Sequence, residues 1–264
     1  MLTSLLVSLG LLGPVSAGTP AALDTMIDVG GHRLHFIVHR GSRPVTIIME
    51  SGGGASLADW GGLDNVLAQR TGATVVAYDR AGFGTSQLGS PALLPSSQVE
   101  HLEAALQQLD VPERRIILGH SYGGVMAVLY AHRFPAKTAG IVLSDPMNAR
   151  FVDATGDFVY STVPDITHPK NDSERAVQRL VRTFKDAIAT TRKAEPDLRM
   201  PMVVLTSGHM YCRTEDALRE WRHSHEAIAA AAPNRRLVVA ESSGHQIHQQ
   251  QPELVIDAVL SLLR

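Results

Sequence analysis

Ser121 stands in the run Gly119-His120-Ser121-Tyr122-Gly123, which reads G-x-S-x-G. A serine hydroxyl is a poor nucleophile at neutral pH. It attacks a carbonyl only when a base takes its proton and a third group orients that base. The run follows Arg115-Ile116-Ile117-Leu118, an apolar stretch with β-branched residues, and precedes Val125 to His132, a segment rich in helix formers. This context predicts a strand, a very tight turn and a helix. The flanking glycines relieve crowding at the turn, and the serine hydroxyl is lifted clear of the sheet edge. Outside that context the same five residues would be an ordinary glycine-rich turn.

The chain offers twelve histidines as the base. His245, in Ser242-Ser243-Gly244-His245, follows the last predicted strand, at the sheet edge where open α/β sheets build their sites. His248 is the fallback. His120 adjoins the serine but points away from its neighbour's hydroxyl on a sharp turn. His223 and His225 fall at alternate positions of a predicted helix and do not share a face. No His/Cys/Asp cluster has the spacing of a metal site, so neither metal nor cofactor is expected.

The acid should lie between serine and histidine in the chain. The loop after the predicted strand Met202 to Leu205 reads Thr206-Ser207-Gly208-His209-Met210-Tyr211 and holds no carboxylate. Glu215 and Asp216 come next, at the start of a helix. Asp145, in Leu143-Ser144-Asp145-Pro146, ends the strand beside the nucleophile strand and is the leading candidate, with Glu215 or Asp216 as alternatives. An Asp-Pro pair also starts turns for purely structural reasons. An oxyanion needs backbone N–H donors. One is expected from Tyr122 and the other from Ser51-Gly52-Gly53-Gly54, with Gly53 first and Gly52 next. No G-x-G-x-x-G or Walker lysine supports a phosphate-binding reading of those glycines.

The elements that must position these groups alternate along the chain, which predicts a mostly parallel sheet with helices on both faces. Residues 24–39 read as a hairpin turning at Gly30-Gly31, Val45 to Met49 and Thr74 to Tyr78 as buried strands, and Leu63 to Arg70 as a helix. Ser97 to Leu109 is amphipathic, with Ser96 or Ser97 as its cap. Ala139 to Ser144 is the next strand. The rhythm breaks between Pro146 and Pro201, a stretch read as a small cap over the sheet at about residues 147–200, with a helix near Ser173 to Arg192. Cap aromatics Phe151, Phe158, Tyr160 and Phe184 either line a partly apolar pocket or seal the cap. A strand at Met202 to Leu205, a helix at Glu215 to Ala231, a strand at Leu237 to Ala240 and a helix at Pro252 to Leu262 complete the chain.

The 264 residues, enough for one large α/β domain or two small ones, are 44% hydrophobic and 19% charged with a net charge of −2, a normal globular balance with no sign of a basic nucleic-acid footprint. The lone cysteine, Cys212, excludes an intramolecular disulfide. No charge precedes Asp24, Leu5 to Leu12 is apolar, and Val15-Ser16-Ala17 resembles a cleavage site. Residues 1–17 therefore read as a signal peptide of a secreted or periplasmic protein, the alternative being a cytoplasmic protein with an apolar leader. The apolar run is too short to anchor the chain in a membrane. Asn171-Asp172-Ser173 is a glycosylation sequon.

Three segments carry a family resemblance. Glu50-Ser51-Gly52-Gly53-Gly54 with Trp60 resembles an oxyanion loop with Glu-Ser-Gly where others have His-Gly. Tyr78-Asp79-Arg80-Ala81-Gly82-Phe83-Gly84-Thr85-Ser86 resembles a D-R-x-G-x-G-x-S loop. The elbow and Ser243-Gly244-His245-Gln246-Ile247-His248 complete the set. Together they resemble the α/β-hydrolase fold superfamily from about residue 24 onward. The resemblance implies a mostly parallel eight-stranded sheet with helices on both faces, a small cap inserted after the sixth strand, and a single domain over residues 24–264. It further implies a cofactor-free serine hydrolase, esterase-like, acting on a small-molecule acyl substrate through Ser121, His245 and Asp145. The acid-free loop after Leu205 departs from the commonest pattern and favours Asp145, a placement some members use. A ligand receptor or carrier on the same fold, and an acyltransferase, are the alternatives.

Overall fold

A computed structural model of the chain describes residues 21–156, 166–209 and 214–264. The expected leader, Cys212, Phe158 and Tyr160 lie outside them. Eight strands form one sheet: β1 (Leu23–Asp28), β2 (Arg33–His39), β3 (Thr46–Glu50), β4 (Thr74–Tyr78), β5 (Arg115–His120), β6 (Thr138–Ser144), β7 (Met202–Ser207) and β8 (Arg235–Ala240). Their order across the sheet is β1-β2-β4-β3-β5-β6-β7-β8. Only β2 runs against the others. After β3 the chain steps to one side to make β4, then to the other to make β5. That reversal opens a crevice at the carboxyl ends of β3 and β5.

Helices cover both faces, so the middles of the central strands are continuous apolar runs, with polar residues only at their ends. Every residue of β3, β4 and β5 is buried. Ile48, Val76 and Ile117 pack into one core with α2 (Pro95–Gln108), α3 (Tyr122–Arg133) and α6 (Glu215–Ala230). Their neighbours Ile47, Val75 and Ile116 face the opposite core, with α1 (Leu63–Thr71) and α8 (Pro252–Ser261). A short α7 (Ile247–Gln250) precedes α8. Helix α2 begins earlier than its serines suggest: Leu94 is the N-cap and Pro95 takes the first turn, where a missing N–H costs nothing.

Between β6 and β7 lie α4 (Ala149–Thr155), α5 (Asp172–Ala194) and a 3-10 turn at Glu195–Asp197. Asn171, the sequon asparagine, caps α5 by accepting the Glu174 N–H at 2.9 Å. The apolar stripe of α5 buries Ala176, Phe184, Ala187 and Ile188. Arg179 of the same stripe donates to the carbonyls of Ala81 and Leu88 at 2.5 and 2.6 Å, tying α5 to the loop after β4. Phe151 packs edge-on against Trp221 with ring centroids 4.7 Å apart, which seals α4 onto α6.

Helix α3 leaves β5 so steeply that its first turn touches the end of β3 without side chains between them. A Cβ on Gly123 would lie 2.0 Å from the Glu50 carbonyl oxygen, and one on Gly119 would lie 2.4 Å from the Gly123 carbonyl oxygen. Both contacts are backbone to backbone, so a methyl group has nowhere to go. Gly123→Ala should destabilise the fold by about 3 kcal/mol, measured as the urea midpoint against the parent chain. A loss under ~0.5 kcal/mol would mean that the two segments separate freely.

Candidate active site

Strands β5 and β6 end level with each other, His120 opposite Ser144. Each is followed by a residue in a conformation rare outside glycine: Ser121 at φ 53° and Asp145 at φ 46°. At Ser121 the turn is held from both sides. Its N–H donates to the Ser144 carbonyl at 3.1 Å, and its own carbonyl accepts from Gly124 and Met147 at 2.9 and 3.0 Å. Strain at a position so thoroughly fixed is the mark of an elbow that presents its side chain.

Asp145 is fully buried and accepts four hydrogen bonds. Its Oδ1 takes the Ser207 N–H at 2.8 Å and the Trp221 indole N–H at 2.9 Å. Its Oδ2 takes the Ser207 hydroxyl at 3.0 Å and His245 Nδ1 at 2.7 Å. Burial pushes this carboxyl up, but the His245 bond, the neighbouring imidazoles and the Ser207 N–H outweigh it and hold it below the ordinary carboxylate value. Because an ionised carboxylate only accepts, His245 Nδ1 carries a proton, and in the neutral ring the lone pair is therefore on Nε2. That is the tautomer a general base requires.

The structure thus brings Asp145 and His245 together and leaves the alternative acids elsewhere. Glu215 and Asp216 are exposed in the first turn of α6, where negative charge complements the helix dipole. Asp216 pairs with Arg219 at 2.6 Å. The fallback base, His248, has its Nε2 turned to Asp59 instead, donating to the Asp59 carbonyl at 3.1 Å. Its ring lies 4.7 Å from Trp60.

The loop after β3 is held from behind by Arg80. This buried guanidinium donates to the Ser51 carbonyl at 2.5 Å and also to the Gly52 carbonyl. It faces Glu50 at 3.5 Å, and the same carboxyl accepts the Tyr78 hydroxyl at 2.6 Å. Glu50 therefore takes its donors from side chains, Arg80 and Tyr78. Peptide groups are planar and trans, so a carbonyl pulled toward Arg80 turns the following N–H the other way. The N–H groups of Gly52 and Gly53 are aimed by this means. Both glycines lie against the elbow: a Cβ on Gly52 would be 3.6 Å from Ser121 Cβ, and one on Gly53 would be 3.4 Å from Tyr122 Cβ. Asp79 fixes the next loop, accepting the Leu57 and Thr85 N–H groups at 2.8 and 3.0 Å.

Three residues of this site escape a reading of the sequence. Ser207 and Trp221 hold Asp145. His225, one helical turn beyond Trp221, is buried 3.9 Å from Asp145 Oδ1. Its Nε2 faces the Pro146 carbonyl at 2.9 Å, so it carries the proton, and Nδ1 accepts from the Thr206 hydroxyl at 2.9 Å. Burial lowers the His225 pKa and keeps the ring neutral. The i, i+4 spacing of Trp221 and His225 was visible as a shared helix face, but nothing in it names what that face meets. Among the described residues, no group of three or more His, Cys, Asp or Glu is placed to hold a metal. A separate cavity of about 170 Å³ lies under α4 and the end of α5, walled by Val125, Val128, Leu143, Met147 and Ile228; neither Ser121 nor His245 lines it.

This sheet order, with a strained serine after β5 and a histidine–aspartate pair at the ends of β8 and β6, defines an α/β-hydrolase fold. Residues 47–258 match the sequence profile of the alpha/beta hydrolase family, and the chain belongs to that family. It is 29% identical over 239 residues to the uncharacterized protein YqjL of Bacillus subtilis, covering 89% of this chain and 90% of that one. It is 28% identical over 247 residues to the biotin biosynthesis bifunctional protein BioHC of Cellvibrio japonicus, covering 83% of this chain and 47% of that larger protein. Among solved structures, an esterase from Exiguobacterium antarcticum superposes with a TM-score of 0.71 at 17% identity, over 91% of this chain and 99% of the other.

Burial also keeps His248 neutral, lowering its pKa to about 4. A histidine with a depressed folded value takes up a proton on unfolding throughout the window between about 4 and its ordinary 6.5. It therefore removes stability as pH falls through that window, at about 1.4 kcal/mol per pH unit. His248→Gln keeps an Nε2 donor for Asp59 but cannot titrate. Its loss of stability between pH 7 and pH 5 should be smaller than the parent's by about 2 kcal/mol, read from urea midpoints at both pH values. Equal losses in the two proteins would show that His248 does not titrate in this window.

Proposed function

We propose that the protein is a serine hydrolase that cleaves carboxylic esters, or the related thioesters, lactones or amides, through an acyl-enzyme. The observation that carries this reading is the 2.7 Å bond from His245 Nδ1 to Asp145, on the strand end beside the elbow serine, which leaves Nε2 of the neutral ring as the basic nitrogen. His245 Nε2 takes the Ser121 hydroxyl proton as the oxygen attacks the substrate carbonyl. Asp145 keeps the ring in its tautomer and stabilises the imidazolium that forms. The N–H groups of Gly53 and Tyr122 receive the oxyanion, the first aimed by Arg80 and the second by the start of α3. The imidazolium then protonates the leaving alcohol, and water repeats the sequence on the acyl-enzyme with the same base. A serine at the elbow does not support the chemistry of relatives that attack through a carboxylate.

The cap helix bounds the substrate's space. A Cβ on Gly53 would lie 3.6 Å from Leu180 Cδ1, and one on Gly54 3.9 Å from Val177 Cγ2. Phe184 stands 6.1 Å from the Tyr122 ring. These side chains give the acyl group apolar surroundings beside the oxyanion donors, in keeping with an ester substrate of modest polarity.

The test is hydrolysis of a short and a long p-nitrophenyl ester by the parent chain, Ser121→Ala and Asp145→Asn. Both substitutions should lower kcat by about 10³- to 10⁴-fold without unfolding the protein. Unchanged turnover in Ser121→Ala would overturn the mechanism. Tight binding of esters by the parent chain with no turnover would favour a receptor on the same fold.

A further inference from the structure

We propose that His120 is a positioning residue that sets where His245 presents its basic nitrogen; the inference rests on the serine-hydrolase reading above. His120 is the last residue of β5, so its backbone is locked into the centre of the sheet by its register with Ser144. The elbow sends Ser121 upward and turns the His120 ring sideways, under the loop that carries His245. His120 Nε2 lies 3.0 Å from the His245 carbonyl oxygen. A carbonyl only accepts, so Nε2 carries the proton and donates it. The two rings are 4.6 Å apart and tilted by 48°.

His245 belongs to a loop that needs such an anchor. It follows β8, the edge strand of the sheet, whose middle residues are partly exposed. From there the side chain must reach back across β7 and β6 toward Ser121. Its Nδ1 is tied to Asp145, at the end of β6. Its backbone carbonyl is tied to His120, at the end of β5. Gln250 and the His209 N–H hold Ser243 and Gly244 just before it, and the His120 bond fixes the main chain of His245 itself on the strand next to the one that bears Asp145.

The other side of the His120 ring meets the oxyanion loop. A Cβ on Gly52 would sit 3.2 Å from His120 Nδ1, so the glycine backbone packs directly on the imidazole. His248 at 4.6 Å and Trp60 at 6.4 Å close the remaining sides. One neutral, fully enclosed ring thus spaces the loop that bears the base from the loop that bears the oxyanion donors. A shift of the base by about 1 Å is enough to lower turnover by as much as about 100-fold.

The experiment compares His120→Ala, His120→Asn and His120→Gln with the parent chain and Ser121→Ala, with kcat and KM for p-nitrophenyl acetate measured separately. A second readout needs no turnover: the downfield proton resonance of the His245 Nδ1–H bound to Asp145. Glutamine places its amide N–H where imidazole has Nε2, whereas asparagine places its own where imidazole has Nδ1 and cannot reach the His245 carbonyl. The inference expects alanine and asparagine to lower kcat by about 10- to 100-fold with KM within about threefold, and to broaden or lose the downfield resonance. Glutamine should recover kcat to within about fivefold of the parent and keep the resonance. Parent-like kcat and resonance in His120→Ala would overturn it, as would a glutamine variant as impaired as the alanine one. Should the parent chain show no turnover that Ser121→Ala abolishes, the hydrolase reading fails, and the resonance in the three variants still decides whether His120 positions His245.

Discussion

The hydrogen bond from His245 Nδ1 to Asp145 joins residues one hundred positions apart and is the interaction on which the site depends. A carboxylate in a dry interior is costly unless its lone pairs are met. Here they are met from three directions: the end of β7 through Ser207, helix α6 through Trp221, and the loop after β8 through His245. Each donor lies on a different element, so the sheet and α6 must all be in place before Asp145 is stable as an anion. The charge that polarises the histidine is thus secured by the tertiary fold, not by local sequence.

Parallel strands make this economical. Because β5 and β6 stop at the same level, Ser121 and Asp145 begin their turns side by side, both at positive φ. The crevice between β3 and β5 adds the glycine loop from the other direction, with Arg80 gripping its carbonyls from behind. Burial keeps His120, His225 and His248 below their ordinary pKa, so the rings packed around the His245–Asp145 pair are neutral spacers. Protonating them would set positive charges against the imidazolium that the proposed mechanism forms. The same arrangement makes the fold sensitive to mild acid.

The parts of this site legible in the sequence are those where covalent geometry leaves few choices. Gly119 and Gly123 are readable because the elbow brings backbone against backbone, which only glycine allows. His245 is readable from its place after the last strand. Asp145 is readable because the loop after β7 lacks a carboxylate. The strand runs on past Leu205 to Ser207, and that end of β7 serves the same carboxylate with donors instead. Trp221 and His225 were not legible: helical spacing reveals a common face but not the aspartate opposite it. Helix α2 starts ahead of the expected Ser96 or Ser97 cap because Pro95, whose fixed φ suits the first turn, begins it without a side-chain cap. The mostly parallel sheet of eight strands, with helices on both faces, follows from the family resemblance and is what the structure shows.

Covalent labelling with a fluorophosphonate, followed by mass spectrometry of the digested chain, tests directly whether the fold makes Ser121 a nucleophile. One adduct per molecule is expected, located on Ser121, forming rapidly in the parent chain and at least about 100-fold more slowly in His245→Ala. An adduct on another residue, or labelling of Ser121 at the same rate without His245, would contradict it.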